Sequence, residues 1–366
     1  MRRHRVAYLP GDGIGPEVCG VARRCVDLAG TTYGFEVRWD EQLVGGAAID
    51  AVGQALPSAT LDTCRAADAV LLGAVGGPRW DDPSAARRPE DALLGLRSGL
   101  ELFANLRPVV AHAALDAASP LRPEVRAGAD IMIVRELTGG LYFGRPQGRA
   151  DENGVESVVD TLRYTRPEIE RIVTLAFELA SGRRGHLTSV DKANVLASSR
   201  LWREIVDEIA PRHPSVSVEH ALVDSTAYLI LTQPAHYDVI VTENLFGDIL
   251  SDEAAAIAGS LGLLASASLG TRSTANGRFG MYEPVHGSAP GIAGQGMANP
   301  LATVASAALM LRLSLGETDA ADALEAAVDA CIEDGPRTGD LGGSDGTEAI
   351  AGFLLARLAA RIGVPA

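Results

Sequence analysis

A chain of 366 residues is long enough for two domains around a well-buried core, and 47% apolar with 22% charged residues is the balance of an ordinary globular protein. The net charge of −15 argues against a nucleic-acid-binding surface or an anionic membrane patch, yet permits an anionic substrate where arginines gather locally. Cys19, Cys25, Cys64 and Cys331 form neither a CxxC nor a zinc-like spacing, which predicts buried thiols in a reducing cytoplasm.

Strand-like and helical runs alternate along the chain, the pattern of an α/β protein with a largely parallel sheet. The basic start Met1-Arg2-Arg3-His4-Arg5 leads into an apolar run too short for a signal peptide. A strand is predicted over 6–9 and a helix over 16–28, opened by Pro16. Between them, Gly11-Asp12-Gly13-Ile14-Gly15-Pro16 stands where a dinucleotide fingerprint would. The third glycine of GxGxxG is replaced by Pro16, so the loop reads as a tight structural turn and not as a standard Rossmann motif. Further strands are predicted over 35–39, 69–72 and 131–134. A helix over 166–180 has Thr165 and Pro167 as start signals. Strands over 186–190, 216–219 and 237–241 are each followed by a helical pattern, and alanine-rich helices cover 299–315, 319–331 and 347–362. Glycine- and proline-rich joints over 76–89, 120–123, 144–154 and 270–296 read as working loops. No segment reaches transmembrane length without charge or glycine.

After the run 237–241, the chain turns at Thr242-Glu243-Asn244 into a helical pattern carrying Asp248 and Asp252. Four residues apart, both carboxylates leave one face of the helix. Like charges held together repel unless a cation lies between them, and hard oxygen ligands suit Mg2+ or Mn2+. A solvated helix face is the alternative, but apolar neighbours and the delivering strand weigh against it. Arg97, Arg107 and Arg135 each lie among apolar residues, and Arg135 ends a predicted strand, where ligand sites form in α/β sheets. Three guanidinium forks suit a substrate with two carboxylates, although each could instead pair with a structural Asp or Glu. Lys192 lies just past a predicted strand, a place where a lysine can be desolvated and carry protons. Tyr142, within Gly139-Gly140-Leu141-Tyr142-Phe143-Gly144, offers a phenol or simply packs as an aromatic. Asp224 on its own reads as a helix N-cap. The loop Glu283-Pro284-Val285-His286-Gly287-Ser288-Ala289-Pro290-Gly291-Ile292-Ala293-Gly294 is dense enough in small residues to suggest a bound ligand. His286 could stack on or hydrogen-bond a base, or be an ordinary polar residue.

These segments resemble the metal-dependent β-decarboxylating dehydrogenases, the isocitrate/isopropylmalate dehydrogenase family, from Val6 to Leu358. The resemblance rests on Leu9-Pro10-Gly11-Asp12-Gly13-Ile14-Gly15-Pro16-Glu17, Gly73-Ala74-Val75-Gly76-Gly77-Pro78, the stretch from Arg88 to Pro108, Arg135-Glu136-Leu137-Thr138-Gly139-Gly140, and the stretches 189–195, 244–252 and 286–299. Isocitrate enzymes carry serine and asparagine where this chain has Leu93-Leu94, an apolar pair suited to a branched alkyl group. The resemblance implies two α/β domains sharing a mixed, largely parallel sheet. Residues 1–102 and 258–366 would form the cofactor side, and 103–257 the substrate, metal and dimerisation side, with an arm at about 145–162. It implies NAD-dependent oxidative decarboxylation of (2R,3S)-3-isopropylmalate to 4-methyl-2-oxopentanoate and CO2, in leucine biosynthesis, by a cytoplasmic homodimer with shared active sites. Alternatives are a paralogue acting on another 3-substituted malate (alkyl or benzyl), on D-malate or on tartrate, and a catalytically silent regulatory subunit.

By the same resemblance, Asp248 and Asp252 of one subunit and Asp224 of its partner hold Mg2+ or Mn2+. Arg97, Arg107 and Arg135 bind the dicarboxylate, with Leu93, Leu94, Val195 and Asp224 also against the substrate. Lys192 of the partner takes the hydroxyl proton, and Tyr142 helps protonate the enolate carbon. NAD lies along Ile14, Gly76, Glu283, His286, Gly287, Ser288, Ala289, Pro290, Gly291, Ile292 and Asn299. This chain departs from the family at Gly291, where relatives usually carry Asp against the adenosine ribose and NADP-preferring ones Lys. It departs again at Thr226 and Tyr228, commonly methionines.

Overall fold

The computed structural model describes residues 1–80 and 87–360, so part of the joint over 76–89 and the end of the helix predicted over 347–362 lie outside the described residues. Its strands are β1 (Arg2–Gly11), β2 (Phe35–Glu41), β3 (Ala69–Ala74), β4 (Leu102–Val110), β5 (Asp130–Glu136), β6 (Gln147–Glu152), β7 (Val155–Asp160), β8 (His186–Asp191), β9 (Ser217–Leu222), β10 (Val239–Thr242), β11 (Ala265–Ser273) and β12 (Arg278–Pro284). The chain divides into two compact units. The first takes in the described parts of Met1–Leu102, His112–Pro120 and Ala258–Ala366, the second Phe103–Ala111 and Leu121–Ile257.

In the first unit the strand order is β2-β1-β3-β12-β11, parallel except for the antiparallel pair β11–β12. Every residue of β3 is buried, as expected of a parallel strand covered on both faces. Helix Gly15–Tyr33 has Pro16 in its first turn and stops at Gly34, whose φ of +76° is the left-handed conformation that ends helices. Against it pack helices Leu301–Leu313, Thr318–Asp334 and Thr347–Ala360. All four cysteines are free and buried, as their spacing implied.

The glycine loop after β1 is a structural knot. A β-carbon on Gly11, at φ +72°, would stand 1.9 Å from the Ala74 carbonyl oxygen. The Ile14 N–H donates to the Ser288 carbonyl at 2.9 Å. The buried Asp12 carboxylate accepts the N–H groups of Gly46 and Ala47 at 2.7 Å each and that of Gly76 at 2.9 Å. It supplies negative charge at the N-terminus of helix Gly45–Val52 while tying three distant segments together.

In the second unit the order is β4-β5-β10-β8-β9, with β4 antiparallel to β5 and the others parallel. Helix Arg166–Ser181 opens with the capping box of Thr165 and Glu168. β6 and β7 form a separate antiparallel hairpin on which Val155 and Val158 are exposed. Among the predicted boundaries that move, two have a visible cause. The strand predicted from 237 begins at Val239, because Pro234–His236 is a 3-10 turn and the buried Asp238 carboxylate is taken by Arg183 at 2.8 Å. The helix predicted from 299 begins at Leu301, whose N–H donates to the Asn299 side chain at 3.0 Å.

Candidate active site

β5 ends in Arg135-Glu136, and the chain folds back at once because the buried Glu136 carboxylate accepts the Thr138 N–H at 2.9 Å, its hydroxyl at 2.6 Å and the Gly139 N–H at 2.8 Å. Burial pushes that carboxyl above its ordinary range despite these bonds. The turn carries Tyr142 at the end of the short helix Gly140–Tyr142. From the neighbouring β10 the chain enters helix Asn244–Glu253, capped by Glu243, whose carboxylate accepts the N–H groups of Phe246 and Leu245 at 3.0 and 3.2 Å. Asn244 joins the two segments: its Oδ1 accepts Arg135 Nε at 3.1 Å and Nη2 at 2.8 Å, and its Nδ2 donates to the Gly139 carbonyl at 3.1 Å.

These elements bring Arg107, Arg135, Tyr142, Asp248 and Asp252 together. The Arg135 guanidinium bonds to Asp248 Oδ1, and the Tyr142 hydroxyl donates to Asp248 Oδ2 at 2.9 Å. Arg107 Nη1 lies 3.2 Å from Asp252 Oδ1 and Nη2 3.7 Å from Asp248, while Asn105 and Ser251 brace the guanidinium at 2.7 Å each. The two arginines are buried, whereas the Asp248 and Asp252 side chains keep 36% and 64% of their exposure. A ligand can therefore reach both carboxylates. Burial, then the Asp248 charge, raises the Tyr142 pKa, so its phenol keeps its proton and can act as an acid.

Gly247 faces the stem of Arg135: an added β-carbon would stand 2.6 Å from Cγ and 2.7 Å from Cβ of that buried side chain. Gly247→Ala should cost about 1–3 kcal/mol of stability, the ordinary overpacking range, and displace the guanidinium from Asp248. Urea unfolding midpoints and steady-state kinetics of the variant check both effects.

Lys192 and Asp224 form a separate pair. Lys192 follows β8, and its Nζ donates to Asp224 Oδ1 at 2.6 Å. That bond is the largest influence holding the Asp224 carboxyl below its usual range. Asp224 is not the helix N-cap its sequence position suggested. It lies in the first turn of helix Val223–Thr232, and Leu222 occupies the cap position. Asp224 and Val195 face solvent, and Lys192 is partly buried. Among the described residues of one chain, Asp224, Asp248 and Asp252 do not make a three-carboxylate group.

In the first unit, helix Asp91–Gly99 carries Leu93, Leu94 and Arg97. Arg97 Nη2 lies 3.8 Å from Glu283 Oε1, and its buried Nε has no hydrogen-bond partner among the described residues. His286 Nδ1 is 2.9 Å from the Gly287 carbonyl, its Nε2 is buried without a partner among the described residues, and burial lowers its pKa. Positions where β-carbons of Gly287 and Gly291 would stand are open space. Pro290–Ile292 is a single short turn entered from Ala289 in the left-handed conformation, and Ile292 packs on Ile14 and Val18. Asn299 donates to Asp340 at 3.0 Å.

Sequence reasoning missed the residues that aim the arginines, Asn105, Asn244 and Ser251, and Glu136, which folds the turn carrying Tyr142. Each lies within four residues of a residue singled out for chemistry, and all are buried polar groups, but only the paired strands reveal their partners.

The isocitrate/isopropylmalate dehydrogenase family model matches residues 5–352. The chain is 56% identical over 355 residues to a 3-isopropylmalate dehydrogenase of Anaeromyxobacter dehalogenans, covering 97% of this chain and 99% of that one. It is 60% identical to a 3-isopropylmalate dehydrogenase of Heyndrickxia coagulans, covering 92% and 90%. Among solved structures, isocitrate dehydrogenase from Methylococcus capsulatus superposes with a TM-score of 0.84 at 37% identity, covering 97% of this chain and 99% of that one. The chain belongs to the isocitrate/isopropylmalate dehydrogenase family. It is an oxidoreductase with a largely parallel α/β fold.

Proposed function

We propose that this protein catalyses NAD-dependent oxidative decarboxylation of (2R,3S)-3-isopropylmalate to 4-methyl-2-oxopentanoate and CO2 in leucine biosynthesis, as a cytoplasmic homodimer using Mg2+ or Mn2+. The observation that carries the reading is the convergence of Arg107, Arg135 and Tyr142 on the helix bearing Asp248 and Asp252, in a chain whose full-length relatives bear that activity's name.

The donor set fits a hard divalent cation: accessible carboxylates on one helical face, with a third, Asp224, offered at solvent for a partner's site. NAD fits the first unit's glycine loop, where Gly287 and Gly291 leave room and His286 Nε2 is buried without a partner among the described residues. Ile14, Gly76, Glu283, Ser288, Ala289, Pro290, Ile292 and Asn299 complete the proposed cofactor set. When bound, the cation would supply Lewis-acid stabilisation of the developing enolate, and NAD would take the carbon-2 hydrogen with its electron pair as hydride.

The chain's own residues do the rest. Arg107 and Arg135 take substrate carboxylates in exchange for their present acidic partners, and Arg97 supplies the third guanidinium. Leu93 and Leu94 contact the 3-substituent. The partner's Lys192 accepts the proton of the 2-hydroxyl, and Tyr142 donates a proton to carbon 3 once CO2 has left. The dimer is supported by the exposed Tyr228 and Ile249 on helices Val223–Thr232 and Asn244–Glu253, and by the valines of the β6–β7 hairpin. Comparing kcat/KM on 3-isopropylmalate, D-malate, isocitrate and a benzyl analogue tests the assignment. 3-Isopropylmalate should lead, with neighbouring alkyl malates losing about 1–3 kcal/mol per methylene. A preference for isocitrate overturns it.

Gly291 predicts a looser grip on NAD. Without a carboxylate there, the charge-assisted hydrogen bonds to the adenosine ribose and the repulsion of a 2′-phosphate are both lost. NAD should stay the cofactor, because neither 291 nor 292 is basic. Gly291→Asp should lower the KM for NAD roughly ten- to hundredfold, the worth of about 1.5–3 kcal/mol, and widen the margin over NADP. A wild-type preference for NAD already beyond about three decades would assign the discrimination to another residue.

A further inference from the structure

Two histidines and a glutamate meet at the ends of β8, β9 and β10 that lie away from Lys192, Asp224 and helix Asn244–Glu253. His186 opens β8 and Lys192 follows its close, so the two are separated by roughly 20 Å of strand at about 3.3 Å per residue. The parallel register sets His186 beside Ser217 and Thr188 beside Glu219. A period of two puts these four side chains on one face. His236 joins them from the turn Pro234–His236 that precedes β10.

Glu219 Oε1 lies 2.7 Å from His236 Nε2 and 3.4 Å from His186 Nε2, and it accepts the Thr188 hydroxyl at 2.9 Å. One ligand atom from each of the three residues lies within 4.8 Å of the others. Ser217 Oγ donates to the Gly185 carbonyl at 3.1 Å and so is an acceptor for His186 Nδ1, also at 3.1 Å. That bond fixes the ring with Nε2 facing Glu219. Metal-bound histidines are commonly oriented in this way. Hydrogen bonds from His236 and Thr188 outweigh the effect of burial and hold the Glu219 carboxyl below its usual range.

We propose that His186, Glu219 and His236 form a second cation site, distinct from the aspartate pair, for a divalent transition metal of the zinc class. Two imidazoles and one carboxylate suit Zn2+, Co2+ or Ni2+, whereas Mg2+ prefers an all-oxygen octahedral shell. Ligands at about 2.0–2.1 Å in a tetrahedral site stand roughly 3.4 Å apart, a spacing these atoms reach with small rotations. Binding replaces the hydrogen bond between His236 Nε2 and Glu219, leaves the fourth position to water, and ties β8 and β9 to the entry of β10.

The test is a Co2+ titration of the full-length protein held in excess Mg2+, so that the hard-oxygen site is already occupied. One equivalent per chain should bind with the intense visible bands of four-coordinate Co2+, and Zn2+ should displace it. Asp248→Asn should leave the bands intact. His186→Gln and His236→Gln should each weaken binding by at least the roughly 10–100-fold that loss of a mere supporting group costs, with Mg2+-supported turnover unchanged. No bands in the wild type, or bands lost in Asp248→Asn and kept in His236→Gln, would overturn the proposal and leave a hydrogen-bonded cluster only. If a histidine variant does not fold, the wild-type and Asp248→Asn spectra decide the matter.

Discussion

Asp248→Asn should lower kcat by about three decades, roughly 4 kcal/mol of transition-state stabilisation, while the fold survives. The carboxylate sits between the Arg135 guanidinium and the Tyr142 hydroxyl, and Asp252 lies one turn further along the same helix. Asparagine keeps the shape and removes the charge on which a divalent cation depends. Asp248 is more than a third exposed, so solvent screening should limit the stability loss to about 1 kcal/mol. Activity and stability therefore separate: kcat against Mg2+ or Mn2+ concentration should collapse, while the urea midpoint moves little. EDTA should reproduce the kinetic defect in the wild type, with added cation reversing it. Full turnover in metal-free buffer would remove the aspartates from the mechanism.

A mixture of two inactive variants should regain activity. Lys192→Ala keeps Asp248, and Asp248→Asn keeps Lys192 and Asp224. If each site draws Lys192 and Asp224 from the partner subunit, a mixed dimer holds one site made wholly of intact residues. Random pairing puts about half the subunits in mixed dimers with one good site of two, so recovery should approach roughly a quarter of wild-type activity. The exposure of Asp224, bound to Lys192 in a single chain, supports this arrangement. No recovery, with exchange verified by mass spectrometry, would place every catalytic group within one chain.

The residues proposed for chemistry stand out most plainly in the sequence. An i, i+4 aspartate pair after an apolar run has a definite geometry, and arginines inside apolar runs stand out before their partners are known. The helix bearing the aspartates and the helix over Arg166–Ser181 announce themselves by a strand exit and by Thr165 and Pro167. β11 and β12 were not foreseen. Their sequences, Ala-Ser-Ala-Ser-Leu-Gly-Thr-Arg-Ser and Arg-Phe-Gly-Met-Tyr-Glu-Pro, lack β-branched enrichment, and their strand form comes from pairing with each other. The bracing of Arg135 by Asn244 spans 109 positions, and no local pattern reports it. Asp224 misled for a local reason: an Asp just before a helical pattern resembles a cap, yet the helix starts one residue earlier.

Asp12 bears on how losses of function in this protein are to be interpreted. Its carboxylate satisfies three backbone N–H groups from two other stretches of chain, in a loop that looks like a nucleotide cradle but is filled by the protein's own anion. In a growth selection, Asp12 and Asp248 would score as equally intolerant. Cellular abundance would tell them apart. Substitution at Asp12 should deplete the protein through misassembly, whereas Asp248→Asn should leave normal amounts of an inert one. Inventories of indispensable positions in this chain therefore mix architecture with catalysis until protein level is measured beside fitness.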